Sequence, residues 1–208
     1  LQALDSLTMV YGDSVVPIVY YSAESHPEVE SEAGRARANW YGVQPSLLPL
    51  AFFDGTNRAP QVTLPDSFYP VYRNMTDGAR AQKTVLEMKL DSTIVESQRV
   101  AIRVRIEPTD STVDAMTGLR LVAVVYEDSV PYYSLLMGDT VYISRVVRTV
   151  VGDSFGVPLR LKFGTGYDTL LWVPYAGYNI DRIGVAVAVQ DVATRAVLQS
   201  VIKQRVKN

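Results

Sequence analysis

Apolar residues recur with two different periods along this chain, and the change of period divides it. Leu1, Leu4 and Leu7 fall three apart, followed by Met9 and Val10, with Gln2, Asp5, Ser6 and Thr8 on the other positions. That stripe predicts an amphipathic helix over residues 1–11, ending near Tyr11-Gly12-Asp13. No capping residue precedes Leu1, so residues upstream of it are expected. Residues 15–21 (VVPIVYY) form a continuous, mostly β-branched run and predict a strand buried on both faces. Ser25-His26-Pro27-Glu28 fits a capping box with proline in the first turn, which predicts a helix over residues 27–41. Residues 48–53 predict a second buried strand, closed by Asp54-Gly55.

From Thr84 onward the period is two. Arg99, Ala101, Arg103 and Arg105 alternate with Val100, Ile102, Val104 and Ile106. Further strands are expected at residues 119–126, 141–151, 157–163, 169–173, 183–190 and 196–202, separated by turn signals such as Met137-Gly138-Asp139 and Gly164-Thr165-Gly166. About eight strands at this spacing predict an antiparallel β-sandwich of immunoglobulin-like type. Residues 66–80 settle to no period and read as a short helix or irregular connector. A boundary is placed near residues 57–63, where Gly55 and Pro60 interrupt the pattern. The fold class is therefore α+β: an α/β unit over residues 1–60, then a connector and β-sandwich over residues 61–208.

Composition narrows the chemistry. The 208 residues contain no cysteine and one histidine, which removes disulfides, thiolate chemistry and most His-based catalysis from the chain as given. A net charge of -2 argues against a nucleic-acid surface, and no apolar run is long enough to span a membrane. Residues 1–60 hold three basic residues (Arg35, Arg37, Arg58) against seven acidic ones. Glu28, Glu30 and Glu32 suit the start of the second helix, and Arg35 and Arg37 its end. His26 reads as a surface or capping residue at that start. Asp110, Asp114, Glu127 and Asp128 are candidates for an acid pair or calcium site, and they fall where turns favour acidic residues. Neither metal nor cofactor nor catalysis is expected. The candidate contact residues are the basic pair Arg103 and Arg105 and the aromatics Tyr132, Tyr133, Trp172 and Tyr175. Asn74-Met75-Thr76 fits a glycosylation sequon.

Tyr41-Gly42-Val43, then Pro49 and the run to Phe53-Asp54-Gly55, resembles a thioredoxin-superfamily pattern. The resemblance makes Pro49 the equivalent of the family's cis-proline. It departs from the family in Leu50, where a threonine is usual, and in a longer insert before Pro49. It implies a thioredoxin-like unit lacking its first strand and C-x-x-C turn. Taken with residues 16–22, 121–128, 146–148 and 185–201, the whole chain resembles the Omp-28-related outer membrane protein family of bacterial envelopes. The resemblance implies an outer membrane-associated, periplasmic or extracellular protein of secreted or lipoprotein type. A lipid anchor and a C-x-x-C pair would lie upstream of Leu1. The expected function is a structural or interaction module that binds envelope proteins or itself through the β-sandwich. The alternative is a thiol-disulfide oxidoreductase whose C-x-x-C segment precedes residue 1.

Overall fold

The computed structural model describes residues 2–21, 29–44, 50–61, 67–96, 99–134, 138–174, 177–204 and 206. Among them the elements run α1 (Gln2–Tyr11), α2 (Glu32–Tyr41), β1 (Phe52–Phe53), β2 (Asn57–Arg58), α3 (Phe68–Arg80), β3 (Leu86–Glu96), β4 (Arg99–Pro108) and β5 (Leu119–Glu127). They continue with β6 (Val130–Ser134), β7 (Asp139–Ile143), β8 (Val146–Val150), β9 (Val157–Pro158), β10 (Tyr167–Pro174), β11 (Ile183–Asp191) and β12 (Val197–Lys203).

Two antiparallel sheets pack face to face. One has the order β10-β4-β3, and the other the order β12-β11-β5-β8 with β9 also against β5. Period-two patterning sets the first sheet. Val100, Ile102, Val104 and Ile106 of β4 point into the core, while Arg99, Arg103 and Arg105 point to solvent. The second sheet contributes Leu121, Ala123 and Val125 from β5 and Val185, Val187 and Val189 from β11 to the same core. Each of the valine, leucine and isoleucine side chains among these stabilises the fold by about 1.5–3 kcal/mol relative to leaving it in water.

The central strands β5 and β11 are apolar at nearly every position because both of their faces are covered. Val122, Val124 and Val147 lie on the face away from the sandwich core and pack against Ile18, Tyr20 and Ala33 from the chain's first residues. The N-terminal elements thus form a third layer. Within it α1 packs on α3 through Leu7 and Tyr72, joined by Phe53 and Ala59, so contacts cross the composition boundary near residue 60.

Several expectations are corrected in this layer. Residues 15–21 are extended but form no regular strand and are mostly half-buried. Val19 makes a single parallel bridge to Val146, with its N–H donating to the Arg145 carbonyl (3.3 Å). Phe52 and Phe53 pair with Arg58 and Asn57 in a two-residue hairpin, not with residues 15–21. The expected strand-helix-strand sheet is therefore not present among the described residues. Helix α2 starts at Glu32, capped by Ser31, whose hydroxyl accepts from the Gly34 N–H (3.0 Å). It stops at Gly42, whose φ of 66° is a left-handed conformation that favours glycine. The capping box at residues 25–28, with His26, lies outside the described residues, as does Pro49.

Helix α3 resolves the ambiguous stretch. Phe68, Tyr72 and Thr76 are four apart and face inward, and Pro70 sits in the first turn, where its missing N–H costs no helical bond. The run at 141–151 is two strands, broken at Arg145, which adopts a positive φ of 57°. Strand β6 was not anticipated, and the run at 157–163 keeps strand geometry only over Val157–Pro158.

Candidate functional site

The predicted contact residues fall on two separate surfaces. The first is the outer face of the sheet β10-β4-β3. Asp168, Leu170 and Trp172 of β10 stand directly opposite Arg105, Arg103 and Ala101 of β4. Asp168 accepts from Arg103 Nη2 (2.7 Å) and lies 3.4 Å from Arg105 Nε, while Asp91 pairs with Arg105 from the other side. The hydrogen bond from Arg103, with its charge and that of Arg105, holds the Asp168 carboxyl below its ordinary value. The basic row is thus largely neutralised within its own face and offers no broad cationic surface. The aromatic and aliphatic groups beside it are open. Leu170 is 47 % exposed and Trp172 40 %, with the Arg99 guanidinium 5.1 Å from the Trp172 ring. Strand β10 is also a sheet edge: among the described residues nothing pairs with its far side.

The second surface is the ribbon β6–β7. Tyr132 turns inward against Val29, Val130, Ile143 and Val146. Tyr133 and Tyr142 turn outward and are exposed. Burial raises the Tyr21 phenol beside this cluster to about 12, helped by nearby Tyr132 and Asp5. Tyr175 lies outside the described residues. The structure does not bring Tyr132 or Tyr133 together with Trp172, Arg103 and Arg105 in one sheet.

The acidic candidates do not converge. The Asp110 side chain accepts from the Thr112 N–H (3.0 Å), Asp114 from the Phe163 N–H (2.6 Å), and Asp128 from the Arg145 N–H (2.8 Å). Glu127 pairs with Arg148 at 2.9 Å. No group of metal-ligating side chains forms among the described residues. The sequon at Asn74 lies inside α3 with Thr76 buried.

A third feature was missed in the sequence. A cleft of about 1610 Å³ separates the helical layer from the outer face of β5, β11 and β12. Its wall includes Val122, Val124, Ala186 and Ala188 on the sheet side, and Tyr20, Arg37 and Tyr41 on the other. Arg37 is only 4 % exposed. The signal was available: Ala33, Arg37 and Tyr41 are four apart, which puts this arginine on the buried stripe of α2 and not at its solvent end. Desolvation raises the Tyr20 phenol in the same wall, against the opposing field of Arg37.

No protein-family model and no curated protein sequence matches the chain. A solved structure shares its fold, and others show a weaker likeness. HBP35 of Porphyromonas gingivalis superposes with a TM-score of 0.57 and 11 % identity, over 67 % of this chain and 46 % of that one. A domain of the outer membrane lipoprotein Omp28 from Porphyromonas gingivalis gives a TM-score of 0.40 at 15 % identity, over 59 % of this chain and 88 % of that one. A β-glucosidase from Kluyveromyces marxianus gives 0.32 at 15 % identity, over 59 % of this chain and 14 % of that one. The likeness to HBP35 is one of fold, and this chain spans less than half of that protein's length. Among the described residues no helix is long and apolar enough to cross a membrane.

Proposed function

We propose that this chain is a non-catalytic interaction module of a bacterial cell envelope or its extracellular side, and that it associates with a second copy of itself through β10. The resemblance to the Omp-28-related family and the fold shared with HBP35 support the setting. The free edge of β10 carries the mode of association. An unpaired edge strand with outward apolar groups is a template for strand addition unless charge or proline blocks it. Here the one charge on the outer face of β10, Asp168, is neutralised by Arg103 and Arg105, and Pro174 stands only at the strand's end. Antiparallel pairing of two copies about Leu171 would set Leu170 of each against Trp172 of the other, so both exposed apolar groups become covered at once.

Light scattering during size-exclusion chromatography tests this. The expected result is a concentration-dependent dimer that Leu170→Lys with Trp172→Lys converts to monomer without change in the circular dichroism spectrum. A strict monomer at all concentrations, or a dimer indifferent to both substitutions, would overturn it. Fractionation of the producing cells and protease treatment of intact cells test the setting.

A further inference from the structure

Arg37 is the best-buried arginine described, and it has no carboxylate partner among the described residues. The half-buried arginines are each matched: Arg145 with Asp5 (2.9 Å), Arg148 with Glu127 (2.9 Å) and Arg120 with Asp153 (3.2 Å). Arg37 Nη1 donates to the neutral Gln190 Oε1 (2.7 Å), and its buried Nε has no hydrogen-bond partner. Three rings surround the guanidinium, those of Trp40 (5.1 Å), Phe155 (5.7 Å) and Tyr20 (5.8 Å). Cation–π contacts offset part of the cost of burying the charge, but a cation withdrawn from water without an anion leaves several kcal/mol uncompensated.

The arrangement is held in place. The Gln190 amide donates through Nε2 to the Tyr41 hydroxyl (3.0 Å) and to the Arg195 carbonyl (2.7 Å), so its oxygen is fixed toward Arg37. A second polar atom of the same cleft, Thr76 Oγ1 on α3, is also buried and unpartnered. On the sheet side of the cleft Val122 and Val124 are covered by Ile18, Tyr20 and Ala33, while Ala188 of β11 is only half-buried and faces the cleft. A roomy, largely apolar cleft with one rigid, unneutralised cation in its wall suits a ligand that is apolar along most of its length and anionic at one end.

We infer that the cleft between the helical layer and the outer sheet face binds an acyl-chain amphiphile, with its carboxylate or phosphate headgroup at Arg37 and its tail in the cleft beside Ala188. A free fatty acid and a lipid phosphate share this chemistry. The inference does not depend on the β10 edge, which lies on the other sheet.

Calorimetric titration with dodecanoate, dodecyl phosphate and dodecanol, each kept monomeric, tests it. Both chemistry classes of anion carry the tail that the alcohol also has, so the difference isolates the headgroup. At least one anion is expected to bind at least about tenfold more tightly than dodecanol, and the tighter of the two identifies the headgroup class. Arg37→Met should bring that anion down to the level of the alcohol while leaving the alcohol's own affinity in place. A Trp172→Phe chain, in which Trp40 is the remaining tryptophan, should show a change in emission on anion binding, because Trp40 stacks on Arg37. The wild-type comparison stands even if Arg37→Met fails to fold. Equal binding of alcohol and anions, no binding by any of the three, or undiminished anion binding by a folded Arg37→Met would overturn the inference.

Discussion

Replacing Gly34 by alanine sets two effects of opposite sign against each other. Alanine is favoured over glycine by about 1 kcal/mol in a helix interior and by no more than that in the first turn of α2, where Gly34 sits, so propensity alone makes the variant more stable. The packing of α2 says otherwise. A Cβ built on Gly34 falls 2.1 Å from the Tyr21 carbonyl oxygen and 3.1 Å from its carbon. Comfortable separation is roughly 3.5 Å, so helix and segment must part by about 1.4 Å. The obstacle is backbone, and no rotamer change can relieve it. Tyr21 is also tied in place, because two residues earlier Val19 bridges to Val146 and accepts from the Val147 N–H (3.2 Å). Overpacking of this kind costs about 1–3 kcal/mol, and the upper end applies where backbone meets backbone. Net destabilisation of roughly 2 kcal/mol is expected after the propensity gain is subtracted. Urea unfolding followed by Trp40 emission in a Trp172→Phe background reads this directly. A Gly34→Ala chain as stable as its parent, or more so, would refute the close approach of α2 to residues 19–21.

Two further predictions follow from buried phenols. Tyr126 is fully buried and its hydroxyl has no hydrogen-bond partner among the described residues, so Tyr126→Phe should raise unfolding stability by about 1 kcal/mol, and a loss on urea denaturation would contradict that. Burial lifts the Tyr21 phenol from its ordinary 10.0 to about 12, so the neutral form is favoured in the folded chain. Its contribution to stability is complete below pH 10 and is lost as pH rises from 10 to 12. Tyr21→Phe should therefore lose less stability across that window than the parent, and an unchanged alkaline profile would count against it.

Strands whose pattern reflects a single two-faced environment were legible. In β4 the alternation of arginine with valine and isoleucine names both the core and the solvent face, and the turns that follow separate the strands well. The N-terminal layer was harder because its apolar runs answer to distant surfaces. Residues 15–21 read as a doubly buried strand, yet their hydrophobicity serves the outer face of β5 and β8, and a pattern within seven residues carries no record of that partner. In α3 the Phe68–Tyr72–Thr76 spacing was present but masked by neighbouring aromatics and by Pro70. Arg37 was assigned by the general attraction of cations to helix ends, while its four-residue spacing from Ala33 and Tyr41 pointed to the buried side. The alternation in β4 puts Arg103 and Arg105 on one sheet face, but that Trp172 stands beside them and that Asp91 and Asp168 cancel their charge depends on strand register.

The cover over β5 and β11 also constrains the order in which the chain can mature. Its first sixty residues leave the ribosome or a translocation pore long before the last strands do. The surface they must settle on is incomplete until β11, which begins at Ile183, has paired with β5. Pairings so remote in sequence form slowly, because the intervening chain must first be brought round. The N-terminal layer is therefore made well before the strand that completes the surface beneath it. Any truncation that removes β11 should leave Arg37 and Tyr41 without Gln190, although every residue of the helical layer is still present.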